Sequence, residues 1–122
     1  MSTRSLIHVK EDGITLVSIY VHCDGYPSGV GNNIKQALAG ESFNGMDDLA
    51  AYLIWALKGG KKGNVYIAQT DNAPGDIDYT YTVTEINNEI HLTCDSGRDE
   101  PLYKGPLKDF DGKAVEVKEA DG

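Results

Sequence analysis

The chain has 122 residues, of which 40% are hydrophobic and 25% are charged, and a formal net charge of −8. This length and composition suit one globular domain, and the acidic balance argues against a nucleic-acid polymer as partner. No apolar run is long enough to cross a membrane, and Cys23 and Cys94 are too few and too far apart for a metal motif or disulfide framework. Reduced thiols in a cytosolic protein are the favoured interpretation.

The first two strands are predicted at residues 3–10 and 14–23, joined by a hairpin turn at Asp12-Gly13. If this turn sets the register, Glu11 faces Ile14 and Leu6 faces Ile19. Both faces of the hairpin would then be apolar, so helices would cover one face and a second copy of the chain the other. The two predicted faces carry Leu6, Val17, Ile19 and Val21 on one side, and Ile7, Val9, Leu16 and Tyr20 on the other.

Residues 24–31, with the sequence DGYPSGVG, form a predicted hinge between this hairpin and the first helix. A strand, a glycine-rich turn and a helix can together leave backbone N–H groups facing a bound anion. Ser28 suits the N-cap position, while Gly29 and Gly31 would let a ligand approach closely. The alternative is a tight turn that needs glycine for its backbone angles and binds nothing.

Two helices are predicted next, the first ending at Gly40 and the second covering residues 46–58. Tyr52 and Trp55 lie off the core stripe of the second helix, either at its edge or in a subunit interface. The basic cluster at the end of this helix is predicted to be a solvated loop. If an oligomer repeats this loop around its axis, the cluster could instead form a second anion site. The core stripe consists of Met46, Leu49, Ala50, Leu53, Ile54 and Leu57, and the lysines are Lys58, Lys61 and Lys62.

The remaining chain predicts strands at residues 64–69, 79–85 and 89–94, an acidic loop at 70–78, and an edge strand or a strand plus turn at 102–110. Asn87-Asn88 suits the turn of a second hairpin, and residues 111–122 predict a charged tail that frays. The predicted fold is one α+β domain over residues 1–122. It has a mixed or antiparallel sheet of five to six strands and two helices packed on one face.

The sequence shows no pattern typical of catalysis. In the predicted register His8 faces Val17 and His22 faces Thr3, so these histidines are not paired, and neither cysteine has a lysine or arginine neighbour in sequence. Asp71, Asp76 and Asp78 do not have the spacing of an EF-hand calcium loop. Binding without a catalytic residue, metal or cofactor is therefore the predicted class of function.

Several segments also resemble a known group of phage proteins. These are TRS at the start of the first strand, then SIYVHCDGYPSGVG, NGMDDLAAYLI, GNVYIAQ and DYTYTV, which together span most of residues 3–84, with a looser match through LYKGPL. The DGY–x–x–GVG turn and the NGM–x–x–LAA helix resemble those of small phage and prophage proteins. The chain is similar to the phage Thoeris anti-defence sponge family.

This resemblance implies a protein of the host bacterial cytosol that binds cyclic ADP-ribose isomers made by TIR proteins and holds them without degrading them. Some members of the family also bind cyclic di- or trinucleotides, and members assemble as dimers and hexamers. In the family an aromatic residue and an arginine sandwich the adenine. The matching aromatic here is Tyr79 or Tyr81, and the late basic residue is Arg98, Lys104 or Lys108.

The predicted ligand site lies where the hinge, the first strand and the strand after residue 78 converge. Backbone N–H groups and arginine would neutralise phosphates, while a tyrosine ring stacks on the base. Two other functions stay open: an enzyme that degrades such signals, and a phage accessory protein that acts through a protein contact. The predicted site residues are Arg4, Tyr26, Ser28, Gly29, Gly31, Tyr79, Tyr81, Arg98 and Lys108.

Overall fold

The computed structural model describes residues 2–68 and 76–121, and these form six strands and three α-helices. The last residue of the predicted strand 64–69 and most of the predicted acidic loop lie outside the described residues. The strands are β1 Ser5–Glu11, β2 Ile14–Val21, β3 Val65–Ile67, β4 Tyr79–Ile86, β5 Glu89–Asp95 and β6 Tyr103–Pro106. The helices are α1 Asn32–Leu38, α2 Met46–Lys58 and α3 Gly112–Asp121.

All six strands belong to one mixed sheet with the order β3-β2-β1-β4-β5-β6. β1 and β4 are parallel, and the other neighbouring strands are antiparallel. The predicted α+β class is confirmed, and the sheet, predicted as mixed or antiparallel with five to six strands, is a mixed sheet of six. The parallel pair brings the starts of β1 and β4 to the same end of the sheet, because Ser5 lies opposite Tyr79.

The register predicted for the first hairpin is correct at the turn and wrong further along the strands. Glu11 pairs with Ile14 as predicted, but Leu6 pairs with Tyr20 and not with Ile19. The cause is a β-bulge: Lys10 pairs with Thr15 and Val9 with Val17, which leaves Leu16 as an extra residue on β2. Because one inserted residue turns every later side chain to the opposite face, the two predicted groups of apolar residues do not form: Ile19 joins Ile7, and Leu6 joins Tyr20.

The bulge places Ile7, Val9 and Ile19 on one face, where they are fully buried, while Leu6, which is 8% exposed, lies on the other face. α1 and α2 pack on this face, and α2 contributes Leu49 and Leu53 with no exposed surface. The opposite face of β1 and β2 carries polar groups; there His8 Nδ1 lies 2.7 Å from Ser18 Oγ, and the Tyr20 hydroxyl 2.8 Å from His22 Nδ1.

Residues 111–122 were predicted to fray, and this prediction is wrong, since Gly112–Asp121 forms α3. α3 packs against the hinge, where Pro27–Gly31 forms one π-helical turn. Val115 is 6% exposed, and the Gly112 N–H donates to Asn32 Oδ1 at 2.9 Å. A Cβ built on Gly112 would lie 2.1 Å from the Pro27 carbonyl oxygen, so only glycine allows this close packing.

No helix in residues 2–68 and 76–121 is both long enough and apolar enough to cross a membrane.

Candidate functional site

Three predicted site residues lie together at the end of the sheet where β1 and β4 begin and β5 ends. Tyr79 and Arg98 line a cavity of about 310 Å³, and Arg4 lines a neighbouring one of about 700 Å³. Thr3 and Asp78 line both cavities, so the two adjoin. We call this pair of cavities the sheet-end cleft; its lining residues are Ser2, Thr3, Arg4, Asp76, Ile77, Asp78, Tyr79, Ser96, Arg98 and Glu119.

Hydrogen bonds fix the backbone around Arg4, whereas its guanidinium group has no described carboxylate as ion-pair partner. The Arg4 N–H donates to Asp78 Oδ2 at 2.9 Å, and the Arg4 carbonyl accepts from the N–H groups of Asp78 and Tyr79. Among residues 2–68 and 76–121, neither Arg4 nor Arg98 has a carboxylate within 4.0 Å of its guanidinium nitrogens. As far as the described residues are concerned, two guanidinium groups, one in each cavity, are thus available for an anion.

Tyr79 is half-buried, and its hydroxyl donates to Glu119 Oε1 of α3 at 2.8 Å. Burial and this carboxylate raise the pKa of Tyr79 well above its ordinary value, so the phenol remains protonated and acts as a donor. Asp76, Asp78 and Glu119 also bring negative charge into the cleft, whose lining thus holds three carboxylates and two arginines. The cleft therefore presents both positive groups and strong acceptors to a ligand.

The predicted anion site at the hinge is filled by the chain itself. The Ser28 N–H donates to Glu116 Oε2 of α3 at 2.7 Å. The glycines there are explained by packing: a Cβ on Gly29 would lie 2.3 Å from the Asp24 carbonyl oxygen, and one on Gly31 would lie 2.8 Å from the Phe110 ring. Ser28, Gly29 and Gly31 thus match the alternative of a structural turn.

Two aromatic residues that were predicted for the site, Tyr81 and Tyr26, do not line the sheet-end cleft. Tyr81 is fully buried, and its hydroxyl donates to the Gly25 carbonyl at 2.7 Å, so its ring has no face free for a base. Tyr26 is 38% exposed, and its hydroxyl donates to Asp24 Oδ1 at 3.4 Å. That carboxylate, with a smaller contribution from burial, raises the pKa of Tyr26.

The predicted lysines do not join the cleft. The Lys108 amine lies 3.1 Å from Glu89 Oε2 at the start of β5, and this carboxylate raises the pKa of Lys108. Arg98 follows the other end of that seven-residue strand, which is about 20 Å long, and Lys108 lines neither cavity of the cleft. Lys58 donates to the Gly63 and Val65 carbonyls, which ties down the loop after α2 and leaves Lys61 and Lys62 exposed.

Sequence reasoning did not identify Glu116 and Glu119, which contact two of the predicted site residues. Their i, i+3 spacing, together with Val115 in a segment rich in helix formers, was the available signal. The high charge of the segment favoured the prediction of a fraying tail instead. Both contacts also depend on how α3 docks, which is a tertiary property.

Three arrangements typical of catalysis can be checked in the described residues: a His–Ser pair, a reactive cysteine and a metal site. Burial, with Lys10 as a smaller cause, lowers the pKa of His8, whose ring contacts Ser18. Ser18 is only 7% exposed, however, and a nucleophile must be reached by its substrate. Burial raises the pKa of Cys94 to about 12, which disfavours the reactive thiolate. In residues 2–68 and 76–121, no three His, Cys, Asp or Glu side chains are grouped to hold a metal.

Comparison with protein-family models, with curated protein sequences and with solved structures finds no match to this chain. The candidate site therefore rests on the geometry of the sheet-end cleft.

Proposed function

We propose that this protein binds and sequesters a cyclic nucleotide signal in the sheet-end cleft without degrading it. The resemblance of the hinge and α2 segments to phage anti-defence sponges suggests a cyclic ADP-ribose isomer as the ligand. The observation that carries the proposal is the placement of Arg4, Tyr79 and Arg98 around two adjoining cavities. Their volumes are typical of small-molecule pockets, which measure about 300–1,000 Å³.

The ligand's phosphates are assigned to the two arginines. Arg98 is exposed and Arg4 is half-buried, and neither guanidinium is neutralised by a described carboxylate within 4.0 Å. Charge-assisted bonds from guanidinium to phosphate are among the strongest hydrogen bonds in proteins and are often bidentate. They provide local attraction for a dianion in a protein whose net charge is −8.

The carboxylates of the cleft favour a nucleotide over a bare phosphate. Asp76, Asp78 and Glu119 repel a bare anion, and a ligand that also carries donors offsets part of this repulsion by hydrogen bonds to the carboxylates. The ribose hydroxyls and adenine amino group of a cyclic ADP-ribose isomer are such donors. Tyr79 is assigned to the base, because an aromatic ring that stacks on a base contributes about 1–3 kcal/mol.

The test is to mix the protein with a cyclic ADP-ribose isomer, remove the protein by filtration, then denature it and analyse what is released. A sequestering protein depletes the filtrate and later releases the intact signal. Recovery of a linear product would show an enzyme instead. If no cyclic nucleotide is depleted, the proposal is wrong and the accessory-protein alternative gains support.

Matched variants connect the result to the cleft. Arg98→Ala removes an exposed charge without disturbing the core, and we expect at least about tenfold weaker binding, since hydrogen bonds to charged groups are worth about 1.5–3 kcal/mol. Lys113→Ala removes an exposed charge from the first turn of α3, outside the lining of the cleft, and should bind as the unmodified protein does. Equal affinity of both variants would move the ligand away from the cleft.

A further inference from the structure

The loop between α1 and α2, residues 39–45, ends in Asn44-Gly45, the only place in the chain where glycine follows asparagine. Both residues are exposed. The Asn44 side chain precedes the N-cap residue Gly45 and does not cap α2. Within residues 2–68 and 76–121, neither that side chain nor the Gly45 N–H has a hydrogen-bond partner. No described contact therefore holds the Asn44 amide away from the next backbone nitrogen.

The fold requires glycine at the position where glycine leaves this nitrogen unshielded. Gly45 has a φ of 103°, which L side chains rarely adopt, and a Cβ built there would lie 2.9 Å from Asp47 Oδ1. Because glycine has no Cβ, no side chain of residue 45 blocks the approach of its nitrogen to the Asn44 side chain. A nucleophile and a carbonyl carbon held in one segment of chain react much faster than the same groups on separate molecules.

We propose that Asn44 is a site of spontaneous deamidation in the folded protein. The Gly45 nitrogen attacks Asn44 Cγ and closes a succinimide ring, while the bond from Cγ to the side-chain nitrogen breaks and that nitrogen leaves as ammonia. Water then adds to one of the two ring carbonyl carbons and breaks its bond to the ring nitrogen, which gives aspartate or isoaspartate. The net reaction consumes water and releases ammonia, and it does not depend on the ligand proposed above.

The isoaspartyl product changes how the loop is attached to α2. Two hydrogen bonds flank the reacting peptide bond: the Asn44 N–H donates to Asp48 Oδ2 at 2.9 Å, and the Gly45 carbonyl accepts from the Leu49 N–H at 3.1 Å. In isoaspartate the main chain runs through the side-chain carbonyl, which adds one carbon atom between these two hydrogen-bonded groups. Both bonds cannot keep their geometry, so the bond to Asp48 is lost. The aspartate product adds charge and leaves the main chain unchanged.

The first test follows the native protein by anion-exchange chromatography during incubation in alkaline buffer, because the attacking nitrogen must lose its proton. We expect an acidic form with one negative charge more than the formal −8, and fragmentation should assign it to the tryptic peptide 36–58, whose only asparagine is Asn44. Asn44→Gln is the matched control: it keeps the amide but would need a larger ring, so the acidic form should be lost. An equal amount of acidic form in Asn44→Gln, or its formation only in the urea-unfolded chain, would overturn the proposal.

The second test compares thermal melts of the two products after their separation. Asn44→Asp carries the new charge on an ordinary main chain and should melt as the aspartate product does. The isoaspartyl form should melt roughly 2–6 °C below Asn44→Asp, which is the effect of one lost hydrogen bond in a chain of this length. Equal melting temperatures of the isoaspartyl form and Asn44→Asp would show that the loop keeps its attachment to α2 and would reject the assigned consequence.

Discussion

Replacement of Tyr81 separates a core role from a ligand-binding role. The side chain is fully buried, and its hydroxyl donates to the Gly25 carbonyl, which joins β4 to the hinge. Tyr81→Phe leaves that buried carbonyl without its partner, at a cost of about 1–3 kcal/mol. Tyr81→Ala also leaves a cavity, and such substitutions of a large aromatic cost about 3–5 kcal/mol.

For a chain of this length, each kcal/mol lowers the Tm by about 4 °C. We therefore expect Tyr81→Phe to melt roughly 4–12 °C lower and Tyr81→Ala roughly 12–20 °C lower than the unmodified protein. Scanning calorimetry measures this, and Tyr66→Phe serves as the control because Tyr66 is 50% exposed on β3. If Tyr81→Ala melts like the unmodified protein and has lost only its ligand affinity, the assignment of Tyr81 to the core is wrong.

Leu53 and Cys94 are buried and His8 is half-buried, and each can be tested by one substitution or one reagent. Leu53→Asp should abolish the cooperative melt seen by circular dichroism, because it buries an unpaired charge in the core; a soluble, cooperatively folded variant would contradict this. In a Cys23→Ser variant, Cys94 should react with a thiol reagent only after denaturation, because it is buried and its pKa is raised to about 12; rapid native labelling would contradict this. Burial lowers the pKa of His8 below 6.5, so the unfolded chain binds more protons, and the free energy of unfolding should fall as the pH drops through 6.5. His8→Gln should reduce that fall in urea titrations, and an identical pH profile would reject the assignment.

The sequence was sufficient to predict those elements whose ends are determined by residues within or next to the element itself. The second helix was predicted at residues 46–58, and α2 covers Met46–Lys58, because its core stripe and the following glycines act within the segment itself. The second hairpin was predicted from Asn87-Asn88, and both asparagines have the positive φ that such a turn requires. Neither prediction needs knowledge of a distant residue.

The register of the first hairpin could not be predicted from local sequence patterns alone. Its turn predicts one register, yet the bulge at Leu16 changes that register for the inner residues of β1 and β2. The stabilising effect comes from burial of Ile7, Val9 and Ile19 on the single face that the helices cover. A choice between two registers on that basis requires the position of the helices, which the hairpin sequence does not contain.

The candidate site depends still more on tertiary packing. The sequence identified a hinge with N–H groups available for an anion, but it could not show that Glu116 of α3 supplies that anion. With the Ser28 N–H satisfied internally, a ligand at the hinge would have to displace a carboxylate held at 2.7 Å. No carboxylate of residues 2–68 and 76–121 lies within 4.0 Å of the Arg4 or Arg98 guanidinium, so a ligand there would not have to displace one of these. The cost of displacing Glu116 therefore favours binding in the sheet-end cleft over binding at the hinge.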